Sequence, residues 1–101
     1  MTVVFQAAGK LRPQTAQSIK TAFAAAAPLL ERQPGFVRAR LLASYATLQM
    51  QMLFYWESFE AGAAFQSGQY AELARLIAPC VEPQGTVITS MLEREFVPRQ
   101  A

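Results

Sequence analysis

Two hydrogen-bond donors on otherwise apolar segments are the side chains of this sequence best suited to chemistry. Trp56, the single tryptophan, offers an indole N–H at the end of an apolar run, and Tyr70 offers a phenol on a segment with helical spacing. Along the run that ends at Trp56, alternate positions carry Met50, Met52 and Phe54. Polarisable, apolar walls with a few polar groups are typical of a pocket for a flat ligand. We therefore predict Trp56 and Tyr70 as the catalytic donors of such a pocket.

The remaining walls of the predicted pocket come from other segments. Phe23 lies on a predicted first helix, and Tyr45 lies near the tip of a predicted hairpin. The predicted ligand-binding residues are Met50, Met52, Phe54, Phe23 and Tyr45. Methionine and aromatic side chains at regular spacing more often fill a core, and Trp56 and Tyr70 have that simpler interpretation too. Both interpretations stay open at the level of the sequence.

Missing residue types exclude several functional classes. The 101 residues contain no histidine, aspartate or asparagine, which removes Ser/His/Asp and Cys/His catalysis, histidine-ligated metal and the EF-hand calcium loop. The five glycines lie far apart and form no phosphate-binding loop. The net charge of +2 is spread along the chain without a basic cluster, which argues against nucleic acid as a partner. We expect no bound metal.

Length and composition indicate one domain over residues 1–101, with 52% hydrophobic residues to build its core. No apolar run reaches the roughly 18 to 20 residues of a membrane span, and the amino terminus lacks the pattern of a signal peptide. We expect a soluble, cytoplasmic protein that does not bind membranes. The lone Cys80 has no disulfide partner in the chain and is expected to be a small buried residue.

Hydrophobic periodicity predicts the order β-α-β-β-α-β. The predicted strands are residues 2–11, 36–43, 48–56 and 86–96. The first predicted helix begins at Thr15, has an interruption near Pro28 and is ended by Pro34-Gly35. The second begins at Ser58, has an interruption at residues 67–68 and is closed by Pro79 and Pro83. Thr15 and Ser58 are the predicted N-caps. This order in about 100 residues indicates an α+β, ferredoxin-like fold, an antiparallel sheet with two helices on one face.

The predicted hairpin pairs Ser44 with Thr47, which assigns side chains to the two faces of the sheet. The uncharged face, which must meet the helices, receives Val37, Ala39, Leu41, Ala43, Leu48, Met50, Met52, Phe54 and Trp56. The mixed face receives Phe36, Arg38, Arg40, Leu42, Gln49, Gln51, Leu53 and Tyr55. The mixed face is too apolar for water, and both helices are already used. We therefore predict a symmetric homodimer through the face bearing Arg38, Arg40, Gln49, Gln51 and Tyr55, a solvated face being the alternative.

Two segments resemble the antibiotic-biosynthesis-monooxygenase-like proteins of the dimeric α/β-barrel superfamily. The segments are "QPGFVRARLLAS" at residues 33–44 and "LFYWESFEAGAAFQSGQYAEL" at residues 53–73. They are similar to the Pro-Gly-Phe that opens the second strand in that family, the Trp-Glu-Ser that closes the third, and the Phe-rich broken helix that follows. The resemblance implies a dimeric α/β barrel with a cleft between sheet and helices in each subunit, and Trp56 in the wall of that cleft.

The resemblance also implies a range of activities. Haem-degrading members carry an asparagine and a histidine that align with Gly9 and Ala74, so haem chemistry of that kind is not expected, and we expect no cofactor. Cofactor-independent members oxygenate aromatic polyketides, which implies a monooxygenase-like enzyme acting on a phenol or hydroquinone here. The alternative is a non-catalytic dimer that binds a small hydrophobic ligand.

Overall fold

Four strands and four short α-helices form the part of the chain, residues 2–82 and 87–93, that the computed structural model describes. The strands are β1 (Thr2–Lys10), β2 (Phe36–Ser44), β3 (Gln49–Trp56) and β4 (Val87–Glu93). The helices are α1 (Ile19–Ala25), α2 (Ala27–Glu31), α3 (Phe59–Ser67) and α4 (Tyr70–Ile77). Single turns of 3-10 helix lie at Ala16–Ser18 and Ala78–Cys80. Residues 86 and 94–96 of the predicted last strand lie outside the described residues.

The strands form one antiparallel sheet in the order β2-β3-β1-β4. Because α1 and α2 connect β1 to β2 and the second helical pair connects β3 to β4, the topology is the βαββαβ of a ferredoxin-like fold. One face of the sheet and the helices share a single hydrophobic core. The predicted α+β, ferredoxin-like fold is confirmed, whereas a dimeric barrel, which needs a second chain, stays a prediction.

The hairpin between β2 and β3 has a longer turn than predicted. Ser44 pairs with Gln49, not with Thr47, and residues 45–48 form the turn. Leu48 closes it with φ at 58°, in the left-handed region that side chains other than glycine rarely adopt. The predicted register is therefore wrong by two residues. Side chains alternate with a period of two, so this shift leaves every residue from Arg38 to Ser44 on the face predicted for it.

A bulge at the start of β2 reverses the prediction for two residues. Phe36 is opposite Trp56 and Arg38 is opposite Tyr55, which leaves Val37 as the extra residue. Phe36 therefore faces the helices, where its ring meets the Trp56 ring edge-on at 5.5 Å between centroids. Val37 is 48% exposed. The predicted placement of Phe36 on the mixed face and Val37 under the helices is wrong, because the extra residue inverts the alternation at this point.

Both helical segments are interrupted where the sequence predicts. The first breaks at Ala26, and Pro28 follows in the first turn of α2, where its missing amide hydrogen has no intrahelical partner to lose. The second breaks at residues 68–69, between α3 and α4. This break turns α4 relative to α3, so that Tyr70 begins a new helix beside the core.

The two predicted N-caps have different outcomes. The hydroxyl oxygen of Ser58 accepts a hydrogen bond from the backbone N–H of Ala61 at 3.1 Å, which confirms it as the cap of α3. Thr15 makes no capping bond, and its hydroxyl donates to the carbonyl of Pro79 at 2.6 Å. The prediction for Thr15 is wrong because a partner distant in sequence competes for the same hydroxyl. That bond joins the start of the first helical segment to the end of the second.

Buried side chains lie on both faces of the sheet. The helix-facing core contains Trp56, Met52, Leu73 and Ile77, each no more than 1% exposed. On the opposite face, the paired residues Val4 and Tyr55 are each 3% exposed and lie outside that core. Cys80 is buried, as predicted. Among the described residues, no helix has both the length and the apolar character that crossing a membrane requires.

Candidate functional site

An aromatic cluster occupies the middle of the core. Phe54 and Trp56 come from alternate positions of β3, Phe65 comes from α3, and Tyr70 comes from the start of α4. The Phe65 ring lies 5.2 Å from Trp56, 5.9 Å from Phe54 and 6.0 Å from Tyr70 between centroids. Tyr70 meets Phe54 edge-on at 6.3 Å. The strand period and the helix break thus bring together the two predicted catalytic residues, Trp56 and Tyr70, around Phe65.

Two further rings extend this cluster towards the surface. Phe23 of α1 lies 6.4 Å from Phe54, and Phe36 of β2 lies 5.5 Å from Trp56. Both are only partly buried. Phe23 and Phe36 therefore form the outer layer of an aromatic stack whose inner layer holds the predicted catalytic and ligand-binding rings of β3.

Open space lies between the first helical segment and β2, and we call it the α1–β2 groove. It consists of two cavities that share Phe23 and Ala24. The cavity near the hairpin has a volume of about 600 Å³ and is lined by Lys20, Phe23, Ala24, Leu41, Leu42, Ala43 and Tyr45. The other has a volume of about 260 Å³ and is lined by Phe23, Ala24, Ala27, Leu30, Glu31, Phe36 and Ala39. These volumes suit a small ligand of one to a few rings.

Small side chains create the groove. Ala24 and Ala27 on the helices stand opposite Ala39 and Ala43 of β2, and a methyl group at each position leaves space that a larger side chain would fill. The edge position of β2 in the sheet adds to the effect, because no further strand flanks it among the described residues. The groove is thus a consequence of alanine content at the sheet edge.

The predicted site residues lie in different places: at the surface of the groove, in the core behind it, and at a separate cavity. Phe23 and Tyr45 line the groove directly. Phe54, at 2% exposed, and Met52 and Trp56, at 0%, lie behind that lining in the core. The open wall nearest to Trp56 is Phe36, so Trp56 itself does not reach the groove surface.

Met50 lies apart from the other predicted site residues, because it borders a different cavity. This cavity has a volume of about 480 Å³ and is lined by Ala8, Gly9, Leu42, Ala43, Ser44, Gln49, Met50 and Gln51. Ala8, Gln51 and Leu42 are paired across three adjacent strands on the face away from the helices. Met50 therefore belongs to the hairpin end of the sheet, apart from the aromatic cluster.

Lys20, Glu31 and Phe36 are among the groove residues that sequence reasoning missed. Phe36 was missed because the bulge reverses the predicted faces at the start of β2. Lys20 and Glu31 resemble ordinary solvated helix residues, but their spacing carries a signal. Positions 20, 23, 24, 27 and 31 recur at intervals of three and four, so they share one face of the helical segment. That face lines the groove.

Two donors in the aromatic cluster lack partners. The Trp56 Nε1 and the Tyr70 Oη are buried without a hydrogen bond to any described group. An unpaired buried polar group costs about 1 to 3 kcal/mol, which an apolar side chain of the same shape would avoid. Burial also raises the pKa of Tyr70 above its usual 10.0. Tyr70 is therefore protonated at neutral pH and suited to donate a hydrogen bond, not to accept a proton.

Replacing Tyr70 with phenylalanine should leave stability unchanged at pH 7 or raise it by about 1 kcal/mol, because the unpaired hydroxyl is removed. A tyrosine with a raised folded-state pKa contributes stability below its unfolded pKa, and that stability is lost as pH rises through the folded-state pKa. The advantage of Tyr70→Phe should therefore grow above about pH 10. Urea denaturation at pH 7 and pH 10.5 measures both effects.

The control is Tyr45→Phe at the groove rim, where the tyrosine is 41% exposed. This variant removes an exposed hydroxyl and should leave the free energy of unfolding at pH 7 within about 0.5 kcal/mol of the wild-type value. A loss of more than about 1 kcal/mol in Tyr70→Phe at pH 7 would contradict the prediction, since it would mean that the hydroxyl is hydrogen-bonded in the folded protein.

The chemistry available in the groove is limited to a few groups. Lys20 and Tyr45 supply donors at one end, and Glu31 supplies a carboxylate at the other. Within the described ranges, no three His, Cys, Asp or Glu side chains lie close enough together to hold a metal ion. The arrangement can bind a flat apolar ligand and form hydrogen bonds with its oxygen atoms.

Several solved structures share this fold. No protein-family model matches the chain, and no curated protein matches it. A protein assigned as an antibiotic biosynthesis monooxygenase from Bordetella bronchiseptica has a TM-score of 0.78 and 18% identity, covering 93% of this chain and 98% of that one. SnoaB, a cofactor-independent oxygenase from Streptomyces nogalater, has a TM-score of 0.74 and 20% identity, covering 97% and 98%. A protein of unknown function from Nitrosomonas europaea has a TM-score of 0.73 and 14% identity, covering 98% and 96%.

These similarities cover 93 to 98% of each chain, and they define a class of fold. The chain has the fold of the antibiotic-biosynthesis-monooxygenase-like proteins, which confirms at the level of fold the resemblance carried by its sequence segments. Sequence identities of 14 to 20% show a shared fold and do not show a shared activity. An activity has to be argued from the groove and the aromatic cluster.

Proposed function

We propose that this protein is a cofactor-independent, monooxygenase-like enzyme that acts on a small phenol or hydroquinone in the α1–β2 groove. The observation that carries the proposal is the pair of unpartnered buried donors, the Trp56 Nε1 and the Tyr70 Oη, in the aromatic cluster behind the groove. A polar group kept unpaired in a core is destabilising, so its presence favours a role in binding an oxygen atom. The fold shared with SnoaB, a cofactor-independent oxygenase, supports the same conclusion.

The proposed reaction makes two demands on the site. The substrate must lose its phenolic proton, and the resulting anion must supply electrons to dioxygen where little water is present. The groove lining is mostly alanine, leucine and phenylalanine, which limits water around a bound ring. Tyr70, held protonated by burial, would stabilise negative charge on oxygen as a hydrogen-bond donor.

Access to the buried donors requires a movement of side chains. Phe23 and Phe36 stand between the open groove and the inner rings Phe54 and Trp56. Both outer rings border open space on one side, so a bound ligand has room to displace one of them. In this proposal the substrate ring takes the place of Phe23 or Phe36 against the inner layer.

Oxygen uptake tests the proposal. Purified protein should consume dioxygen with hydroquinones or anthrones faster than buffer does, and Tyr70→Phe or Trp56→Phe should slow this rate on the order of a hundredfold. The matched control is Tyr55→Phe, which changes a buried tyrosine on the opposite face of the sheet and should leave the rate unchanged. A wild-type rate equal to that of buffer with every substrate would contradict the proposal.

The second candidate is a non-catalytic protein that binds a small hydrophobic ligand in the same groove. The observation that favours it is the complete burial of Trp56, which has no direct contact with the open space. A ligand that raises the melting temperature without any oxygen uptake would support this alternative over the enzyme.

We also propose that the protein acts as a homodimer through the sheet face away from the helices. Arg40 and Leu42 of that face are exposed, Leu42 at 45%, and Gln49 and Gln51 border its cavity. The guanidinium of Arg38 lies 4.4 Å from the centre of the Tyr55 ring, so these two predicted interface residues lie together on this face. An apolar face interrupted by arginines fits a two-fold interface. A location in the cytoplasm likewise stays a prediction.

Sedimentation equilibrium should give a mass of about 22 kDa, twice the 11.1 kDa of the chain. Arg40→Glu should shift the equilibrium towards the monomer, because a two-fold axis makes the substitution act twice in one interface. Arg32→Glu changes charge equally at an exposed residue that follows α2 and should leave the dimer intact. A single 11 kDa species at micromolar concentration would refute the dimer.

A further inference from the structure

The larger cavity of the α1–β2 groove has a cation in its lining and no acidic residue. Lys20 lies one helical turn before Phe23 and Ala24, and it borders the cavity together with Tyr45. The other lining residues of this cavity are alanine and leucine. The cavity thus combines an apolar interior with two polar groups on its rim, an ammonium and a phenol.

The protein itself does not neutralise this cation. In the described part of the chain, Lys20 forms neither an ion pair nor a side-chain hydrogen bond. The carboxylate of Glu31 borders the other cavity, eleven positions further along the chain and beyond the break at Ala26. A charge at the edge of an apolar cavity attracts an opposite charge more strongly than one in open water, because the low-dielectric wall reduces screening.

We propose that Lys20 determines the ligand specificity of the groove by pairing with an anionic oxygen, a phenolate or a carboxylate, on a flat aromatic ligand. The ring lies against the leucine and alanine side chains, and the oxygen points to the rim, where the Tyr45 hydroxyl is a second donor. This inference rests on the proposed function only in placing an aromatic ring in the groove. It holds whether or not the ligand is then oxidised.

For a phenol, the pairing also favours loss of the proton. The O–H bond of the ligand breaks, the proton passes to solvent at the open rim, and the phenolate oxygen remains beside the Lys20 ammonium. No electrons are transferred in this step. It produces the anion that the proposed oxygenation needs before dioxygen is reduced.

Binding of three naphthalene probes tests the pairing without any turnover. The probes are 2-naphthoate, a carboxylate, 2-naphthol, a phenol, and 2-methoxynaphthalene, which has no ionisable group. In calorimetric titrations, 2-naphthoate should bind about tenfold more tightly than 2-methoxynaphthalene, the value of one charge-assisted contact. Lys20→Met, which keeps the apolar stem, should remove this advantage and leave 2-methoxynaphthalene binding unchanged.

The matched control is Lys10→Met, an identical substitution at an exposed lysine that ends β1 and lines none of the cavities described above. A second measurement follows the ultraviolet absorption of bound 2-naphthol against pH. Ionisation of the bound naphthol should occur about one pH unit lower on the wild type than on Lys20→Met, which corresponds to the same tenfold effect.

The outcomes separate this inference from the proposed function. Equal affinity for 2-naphthoate and 2-methoxynaphthalene, or equal losses in Lys20→Met and Lys10→Met, would overturn the role of Lys20 and leave the groove as an aromatic site. Absence of binding by all three probes would overturn both. The expected binding pattern without oxygen uptake would support Lys20 as a specificity residue and reject the oxygenase.

Discussion

Truncation of Trp56 to alanine should lower the free energy of unfolding by about 3 to 5 kcal/mol. The indole is 0% exposed and is held between the rings of Phe36 at 5.5 Å and Phe65 at 5.2 Å. Its removal would leave a cavity between sheet and helices that those rings cannot fill without losing their other contacts. Against a typical total stability of about 5 to 15 kcal/mol, the variant would be marginally folded. Urea denaturation followed by circular dichroism measures the change, because the variant has no tryptophan fluorescence.

Two further variants test whether the loss of stability comes from the packing of the indole. Trp56→Phe keeps an aromatic ring and removes the unpaired Nε1, so it should cost clearly less than Trp56→Ala. Phe59→Ala removes a ring that is 55% exposed and touches only its neighbour Phe5 among the described aromatic rings. If Trp56→Ala shifts the unfolding midpoint no more than Phe59→Ala does, the indole is not packed between the rings of Phe36 and Phe65.

Gly35→Ala should destabilise the protein by about 2 to 5 kcal/mol through two separate effects. Gly35 has φ at +77°, a left-handed conformation that costs an L-residue about 1 to 2 kcal/mol. A Cβ atom at this position would also lie 2.7 Å from the Cβ of Ala61 on α3, which is closer than packed carbon atoms approach. Overpacking of this kind typically adds about 1 to 3 kcal/mol. Thermal or urea unfolding of the variant measures the sum.

A double-mutant cycle divides the two effects. Ala61→Gly removes the opposing methyl group, so Gly35→Ala in that background should cost only the conformational part, about 1 to 2 kcal/mol. The coupling between the two positions should then be about 1 kcal/mol or more. Strictly additive costs would show that the close approach of Gly35 to α3 does not occur. The carbonyl of Gly35 also accepts from the N–H of Glu57 at 2.8 Å, so the same residue joins the start of β2 to the end of β3.

The face on which each side chain of the hairpin lies could be predicted from the sequence, although the pairing of β2 with β3 could not. The turn after Ser44 contains no Asn-Gly or Asp-Gly pair to fix its length, and Leu48 adopts a positive φ without the glycine that would signal it. The resulting error of two residues preserves the alternation. The bulge is different, because Phe36 and Val37 are both apolar and either could face the core by type alone. Only packing against Trp56 decides between them.

The candidate site was predictable in its inner layer and not in its outer one. Trp56 and Tyr70 stand out by residue type, and the strand and helix periods place them on the core side. Which helix covers which strand depends on packing between distant segments. The open space therefore lies along α1 and β2 instead of along β3, and Lys20 enters the site from a helix face that local patterns mark as solvated.

Val37 is the extra residue of the bulge in β2, and its deletion should leave the other side chains of this strand on their present faces. Because Phe36 and Arg38 already stand opposite the consecutive residues Trp56 and Tyr55, a chain lacking residue 37 would pair without interruption and keep both side chains on their present sides. Loss of a residue elsewhere in the strand would turn one half of it over. Length variation in this strand should therefore be tolerated at residue 37, where nearly half of the valine side chain already faces solvent.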